Sequence, residues 1–149
     1  MNIEPYLNKL DSELLSLLLL ADPKEESVKQ YVNSSEIFVA SSGQKKIGMA
    51  VLSINNNDYE LKNIAVHPKY QKKGIAKKLI GTVKSRAKEL GAQTLIVGTG
   101  NSSFDQLALY QKCGFKISTV KPNFFATYEP PIYENGIQCI DMIVLKAEL

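Results

Sequence analysis

The sequence predicts an α/β domain, and two observations predict it. An alternating stretch, Tyr59 to Val66 (Y-E-L-K-N-I-A-V), passes through the glycine-containing turn Gln71-Lys72-Lys73-Gly74 into a helical repeat. In that repeat Ile75, Leu79, Ile80, Val83, Ala87 and Leu90 recur at helical spacing. A β-rich stretch, Thr94 to Thr99, follows the helix and is therefore expected to run parallel to the Tyr59 strand. The chain has 149 residues, which suits one domain over 1–149 with one core.

The other elements follow in order. Asn2 to Tyr6 reads as a short first strand. Leu7 to Leu20 is rich in Leu and unbroken by Gly or Pro, so it reads as a helix. Asp22-Pro23-Lys24-Glu25 reads as a second helix start, with Asp22 as N-cap, and that helix extends to Tyr31 or Val32. Glu36 to Ser41 and Lys45 to Ile54 form a hairpin across Ser42-Gly43-Gln44. Asn55 to Asp58 is a turn, because Asn and Asp accept positive φ and bond their own backbone. Gly91 ends the long helix. A helix over Phe104 to Lys112 ends at Gly114, and Phe115 to Val120 is a strand. Lys121 to Gly136, with three prolines, reads as an irregular loop, and Gln138 to Lys146 as the last strand.

Composition is that of an ordinary globular protein, 44% apolar and 22% charged. The net charge of +3 does not by itself imply nucleic acid, but the basic residues are concentrated: five lysines lie between Lys69 and Lys78. That favours a local anionic ligand over a broad electrostatic stripe, and no aromatic-interleaved RNA motif is present. Two scattered cysteines, Cys113 and Cys139, and one His67 make no readable metal site; they suggest buried thiols in a reducing cytosol. No signal peptide is evident, and the Leu14–Leu20 run is far shorter than the roughly 20 residues that span a bilayer. The expected location is cytoplasmic, with no membrane partner.

The turn itself points to chemistry. A strand-to-helix junction leaves N–H groups of the first helical turn without partners, at the positive end of the helix dipole. Gly74 has no Cβ, so an anion can come close, and Lys72, Lys73, Lys77 and Lys78 surround it. The physical reading is a phosphate or pyrophosphate cradle; the plain alternative is a solvated lysine surface. The string is neither a Walker loop nor a dinucleotide fingerprint.

Q-K-K-G-I-A resembles the Q/R-x-x-G-x-G/A signature of the GNAT superfamily of N-acetyltransferases. The lead-in I-A-V-H-P-K-Y is similar to that family's as well. Leu107 to Phe115 (L-A-L-Y-Q-K-C-G-F) resembles its later A-x-x-L-Y-x-x-x-G-F helix. The resemblance covers Ile37 to Phe115, with the tail fitted as the last strand. It implies a central mixed, mostly antiparallel sheet of six to seven strands with about four flanking helices. Two central parallel strands, Tyr59–Val66 and Thr94–Thr99, splay to admit the pantetheine arm of acetyl-CoA. Main-chain groups of Ile64, Ala65 and Val66 would then meet the pantetheine and thioester, and Gln71, Lys72, Lys73, Gly74, Ile75, Ala76 and Lys77 would wrap the pyrophosphate. Asn101 matches a position that bonds the pantetheine arm, although its spacing to Tyr110 is longer than in many relatives. Ala76 stands where a second glycine is commoner. The two N-terminal helices would flank the acceptor site.

For catalysis, the resemblance places Tyr110 beside the cofactor sulfur, where a phenol can protonate the leaving thiolate; the alternative is a Tyr that packs on the sheet. The base is less determined. Some relatives use a glutamate on the strand that is Thr94–Thr99 here, and it holds no carboxylate. Glu60, through a bridging water, is the candidate, against a solvated strand-end residue. Glu129, Glu134 and Asp141 would lie near the acceptor mouth, either attracting a cationic amine or facing water. His67 reads as structural or cofactor-adjacent, and the sequence places no His or carboxylate beside Cys113 to activate it as a nucleophile. The tail from Pro130 to Met142 is similar to the ends of a group of bacterial GNAT proteins, and would shape the acceptor pocket or meet a second subunit in a homodimer. The expected function is acetyl transfer from acetyl-CoA to a primary amine of a small molecule or peptide, by direct attack. The competing reading is a non-catalytic acyl-CoA sensor on the same fold, motivated by the missing carboxylate; a nucleic-acid binder is the third.

Overall fold

Alternating apolar residues build an antiparallel meander in the first part of the chain. The computed structural model describes residues 1–149 as two compact units, Met1–Ala92 and Gln93–Leu149. In the first unit, β1 (Asn2–Pro5), β2 (Ser35–Ser42), β3 (Lys45–Asn55) and β4 (Asp58–Val66) pair in sequence order, each antiparallel to the next. Because side chains alternate across a strand, the sheet divides its residues between two helical layers. Ile37, Val39, Met49, Val51 and Ala65 pack with Leu14, Leu17, Leu18, Val28 and Val32 of α1 (Ser12–Ala21) and α2 (Glu25–Val32). Burying each large aliphatic side chain there contributes about 1.5–3 kcal/mol. The opposite face receives α3 (Ile75–Glu89) through Ile75, Leu79, Ile80, Val83 and Ala87.

Two helix starts differ from expectation. The expected helix over Leu7–Leu20 begins only at Ser12, because the Asp11 carboxylate accepts the Leu14 N–H at 2.8 Å and caps it. The residues before it continue from β1, with Tyr6 N donating to Ile37 O at 2.8 Å. Asp22 is not the N-cap of α2 but the C-cap of α1: its N–H donates to Leu18 O, and its side chain accepts from Lys24 N. The helix α2 then starts at Glu25.

Register defects mark β3 and β4. Val51 pairs with Asn63 but Leu52 pairs with Leu61, so Lys62 is a bulged residue of β4. Gly48, opposite Val66, is a close-approach site: a Cβ there would lie 3.2 Å from Leu79 Cδ1 and 3.3 Å from Ile75 Cγ2. Its absence lets the first turns of α3 settle on the sheet beside the end of β4.

In the second unit, β9 (Met142–Glu148) lies between β5 (Thr94–Gly100) and β6 (Lys116–Lys121), antiparallel to both. The helix α4 (Phe104–Lys112) joins β5 to β6. The stretch expected as an irregular loop contains a hairpin, β7 (Tyr133–Glu134) and β8 (Ile137–Gln138). Asn135 and Gly136 form its turn at φ 54° and 75°, the two-residue turn that Asn-Gly favours. That hairpin takes Gln138, so the last strand begins at Met142 rather than Gln138.

Candidate functional site

The cradle is built at the end of β4. His67 N donates to Ile47 O at 2.8 Å, and a 3₁₀ turn over Pro68–Tyr70 follows. Gln71 Nε2 reaches back to Val66 O at 3.1 Å, so this side chain closes the loop onto the strand. His67 Nδ1 accepts the Lys69 N–H at 3.2 Å, which gives His67 a structural job in the same loop. Lys72 and Gly74 both take left-handed conformations, φ 62° and 80°. The positive φ of Lys72 has no glycine to announce it and was not foreseen. Gly74 is the N-cap of α3, makes no side-chain cap bond, and has open space where a Cβ would stand. The first-turn N–H groups of α3 therefore have no side-chain acceptor, and an anion fits there. Tyr70 adds order: the Lys45 and Lys73 ammonium groups lie 5.6 and 5.5 Å from its ring centroid. Lys45, from the start of β3, was not anticipated.

Along β4, Ile64, Ala65 and Val66 are buried and pair with Ala50, Met49 and Gly48. Glu60 pairs with Ser53 and is half-exposed. It stands roughly 10 Å or more up the strand from Ile64, at about 3.3 Å per residue. Between them Asn63 is 5% exposed. Its Nδ2 donates to Leu18 O at 3.0 Å and to Tyr31 Oη at 2.9 Å.

In the second unit, Tyr110 lies on the buried side of α4, 5% exposed, its ring centroid 5.8 Å from that of Phe115. Burial pushes its phenol above the ordinary tyrosine value, so the group holds its proton throughout the neutral range. Asn101 is a clamp on the tail. Its Nδ2 donates to Gln138 O at 3.1 Å, and its Oδ1 accepts from Ile140 N and Asp141 N at 2.8 and 2.9 Å. One amide N–H of Asn101 remains for a ligand. Two expected mouth acids are tied into the framework: Glu134 accepts from Ser103 Oγ at 2.7 Å, and Asp141 accepts from Asn123 N at 2.8 Å. β5 holds no carboxylate, and the Met142 side chain covers Gly98, where a Cβ would lie 2.6 Å from its Sδ. Cys139 is buried, and burial raises its thiol above the usual value, against a thiolate.

A strand ending at an uncapped, lysine-ringed helix start, in one chain with a buried phenol on a later helix, can be set against known proteins. The model of the Acetyltransferase (GNAT) family matches residues 7–115. The chain belongs to the GNAT family. The Bacillus subtilis uncharacterized N-acetyltransferase YvbK is 45% identical over 141 residues, 93% of this chain and 91% of that protein. A GNAT family acetyltransferase from Elizabethkingia anophelis, solved with acetyl-CoA bound, is 44% identical with a TM-score of 0.94, over 99% of this chain and 97% of that one. The Escherichia coli ribosomal protein bS18-alanine N-acetyltransferase is 27% identical over 99 residues, 66% of this chain and 64% of that protein. The expected GNAT fold, enzyme class and acetyl-CoA cofactor are thereby borne out. No helix is long and apolar enough to cross a membrane.

Proposed function

We propose that this GNAT protein moves the acetyl group of acetyl-CoA to a primary amine of a small molecule or peptide, by direct attack, and that residues 1–149 act as one acetyltransferase domain. The observation that carries this reading is the uncapped α3 start at Gly74, opened by left-handed φ and ringed by lysines. Acetyl-CoA, when bound, supplies the thioester carbonyl that the amine attacks. Lys72, Lys73 and Lys77 neutralise its pyrophosphate, while N–H groups of Ile75, Ala76 and Lys77 donate to it. Gln71 shapes the loop from behind by its bond to Val66 O. Main-chain groups of Ile64, Ala65 and Val66 not used by β3 hold the pantetheine and thioester, and Asn101 adds its remaining N–H. Glu60, through water, takes the proton the ammonium must lose, and Tyr110 gives its phenolic proton to the leaving sulfur. The acceptor classes supported are a cationic small amine and a peptide amine, the latter because the 27% identical relative is named a ribosomal protein bS18-alanine N-acetyltransferase. A subunit contact through the Pro130–Met142 tail, giving a homodimer, belongs to the same reading.

A second reading, an acyl-CoA sensor, is favoured by one observation: β5, Thr94–Gly100, carries no carboxylate. Calorimetric titration with acetyl-CoA tests the cradle. The wild type binds and Gly74→Glu loses at least about 10-fold, because a carboxylate enters the anion's place and leaves the positive-φ conformation strained. Unchanged binding in Gly74→Glu would remove the cradle. CoA release with an amine then separates transferase from sensor.

A further inference from the structure

The face of β1–β4 that carries α3 is only partly covered. Ile37 and Val39 pack with α1 and α2, so Glu36 and Phe38, which alternate with them, point to the other face. There α3 lies over β2, β3 and β4, and an open groove of about 840 Å³ separates it from the end of β1. Phe38, 4% exposed, is the floor, and Pro5 and Leu7 form one rim. Arg86 and Glu89 of α3 form the other. Arg86 Nε and Nη2 donate to Glu36 at 2.8 and 3.3 Å, and its Nη1 donates to Glu89 at 2.6 Å. One guanidinium is thus set against two carboxylates, and the groove keeps an excess of negative charge.

The same rim supplies what fits such a groove. Leu7 is 90% exposed, more than any other large apolar side chain of the protein. It does not hang on a loose loop. Tyr6 Oη donates to Lys9 O at 2.5 Å and closes the turn, Tyr6 N donates to Ile37 O, and the Tyr6 side chain packs against the α1–α2 core. An apolar side chain held out on an ordered turn loses little freedom when it is covered. Lys9, two residues on, is exposed and forms no ion pair within the chain. Two residues span at most about 7 Å, so a Leu7 seated in a groove of this kind carries its Lys9 to the Glu89 rim. A knob, a groove and opposite charges on one patch meet the requirement of a two-fold contact, in which both subunits offer the same surface.

We propose that this groove docks a second copy of the chain, with Leu7 of each copy seated on the Phe38 floor of the other and Lys9 facing the partner's Glu89. The contact goes beyond the transferase reading and uses no residue of the Pro130–Met142 tail. Sedimentation equilibrium of the full chain tests it. The wild type should associate with a Kd in the micromolar range or tighter. Leu7→Glu should weaken that association about 30-fold or more. Its Tm and acetyl-CoA Kd should stay at wild-type values, because Leu7 is exposed in the single chain and the groove lies along the half of α3 away from Gly74. Lys9→Glu and Glu89→Lys should each weaken association about three- to tenfold and, combined, restore it to within about twofold of wild type. A wild type that is monomeric at about 100 µM, as for a groove that takes a peptide or a small molecule, overturns the inference. Association that Leu7→Glu leaves unchanged, including one lost instead in Tyr133→Glu of the tail, overturns it as well. So do charge reversals that fail to rescue each other. None of these outcomes touches the transferase reading.

Discussion

Tyr110 combines burial with a dissociable proton. Its phenol is kept above the ordinary value of about 10 by desolvation first, with the Cys113 thiol adding a smaller push. A group with a raised folded-state value stays protonated until the pH passes that value, so as an acid Tyr110 loses nothing across the neutral and mildly alkaline range. The kcat of the wild type should therefore rise with pH as the amine deprotonates and show no falling limb below about pH 10. Tyr110→Phe should lower kcat by about 10²-fold or more and leave acetyl-CoA affinity within about threefold. A falling limb near neutrality, or an unchanged kcat in Tyr110→Phe, would assign the acid elsewhere. Tyr110 was legible because a motif surrounds it. Asn63 was not, because its buried hydrogen bonds exist only once Leu18, 45 residues away in sequence, has been packed against it.

Helices show where local sequence is sufficient and where it is not. The Gly74 start and Gly91 end of α3 follow from glycine's freedom at positive φ, and both residues adopt it. The start of α1 within the Leu7–Leu20 run is decided by one cap. Asp11 wins because its carboxylate satisfies Leu14 N, and Lys46 from β3 holds it there at 2.9 Å. These bonds, the Leu14 one first, keep the Asp11 carboxyl below its usual value. A depressed folded-state value means that the contribution is complete above the unfolded value of about 3.9 and is lost as pH falls through the folded one. Asp11→Ala should accordingly cost about 1 kcal/mol at neutral pH, a fall in Tm of about 3 °C, with the gap to wild type closing below about pH 4. Thermal melts at several pH values check this; a gap that persists undiminished at low pH would place the effect outside the carboxylate. The β7–β8 hairpin had a signal, Asn135-Gly136, that proline-rich surroundings masked.

At the scale of the whole chain, a net charge of +3 conceals an uneven distribution. Lys46 is matched by Asp11 and Glu13, and Arg86 by Glu36 and Glu89. The lysines at the start of α3 instead surround an exposed, uncapped helix terminus. Exposed charges are screened by salt, so acetyl-CoA affinity should fall about three- to tenfold between 0.05 and 0.5 M NaCl. A flat calorimetric response would remove Lys72, Lys73 and Lys77 from the cradle. The sequence by itself determined the order of strands and helices around this site, the glycine that opens it and the family to which it belongs. Those depend on periodicity and on backbone preferences that act within a few residues. Only the tertiary structure decided how the side chains were spent: Gly48 on the approach of α3, Asn101 on clamping the tail, Glu134 on Ser103, and Asn63 on Leu18 and Tyr31. Each of those contacts joins residues far apart in the chain, and a buried polar group takes whichever partner the packing brings within reach.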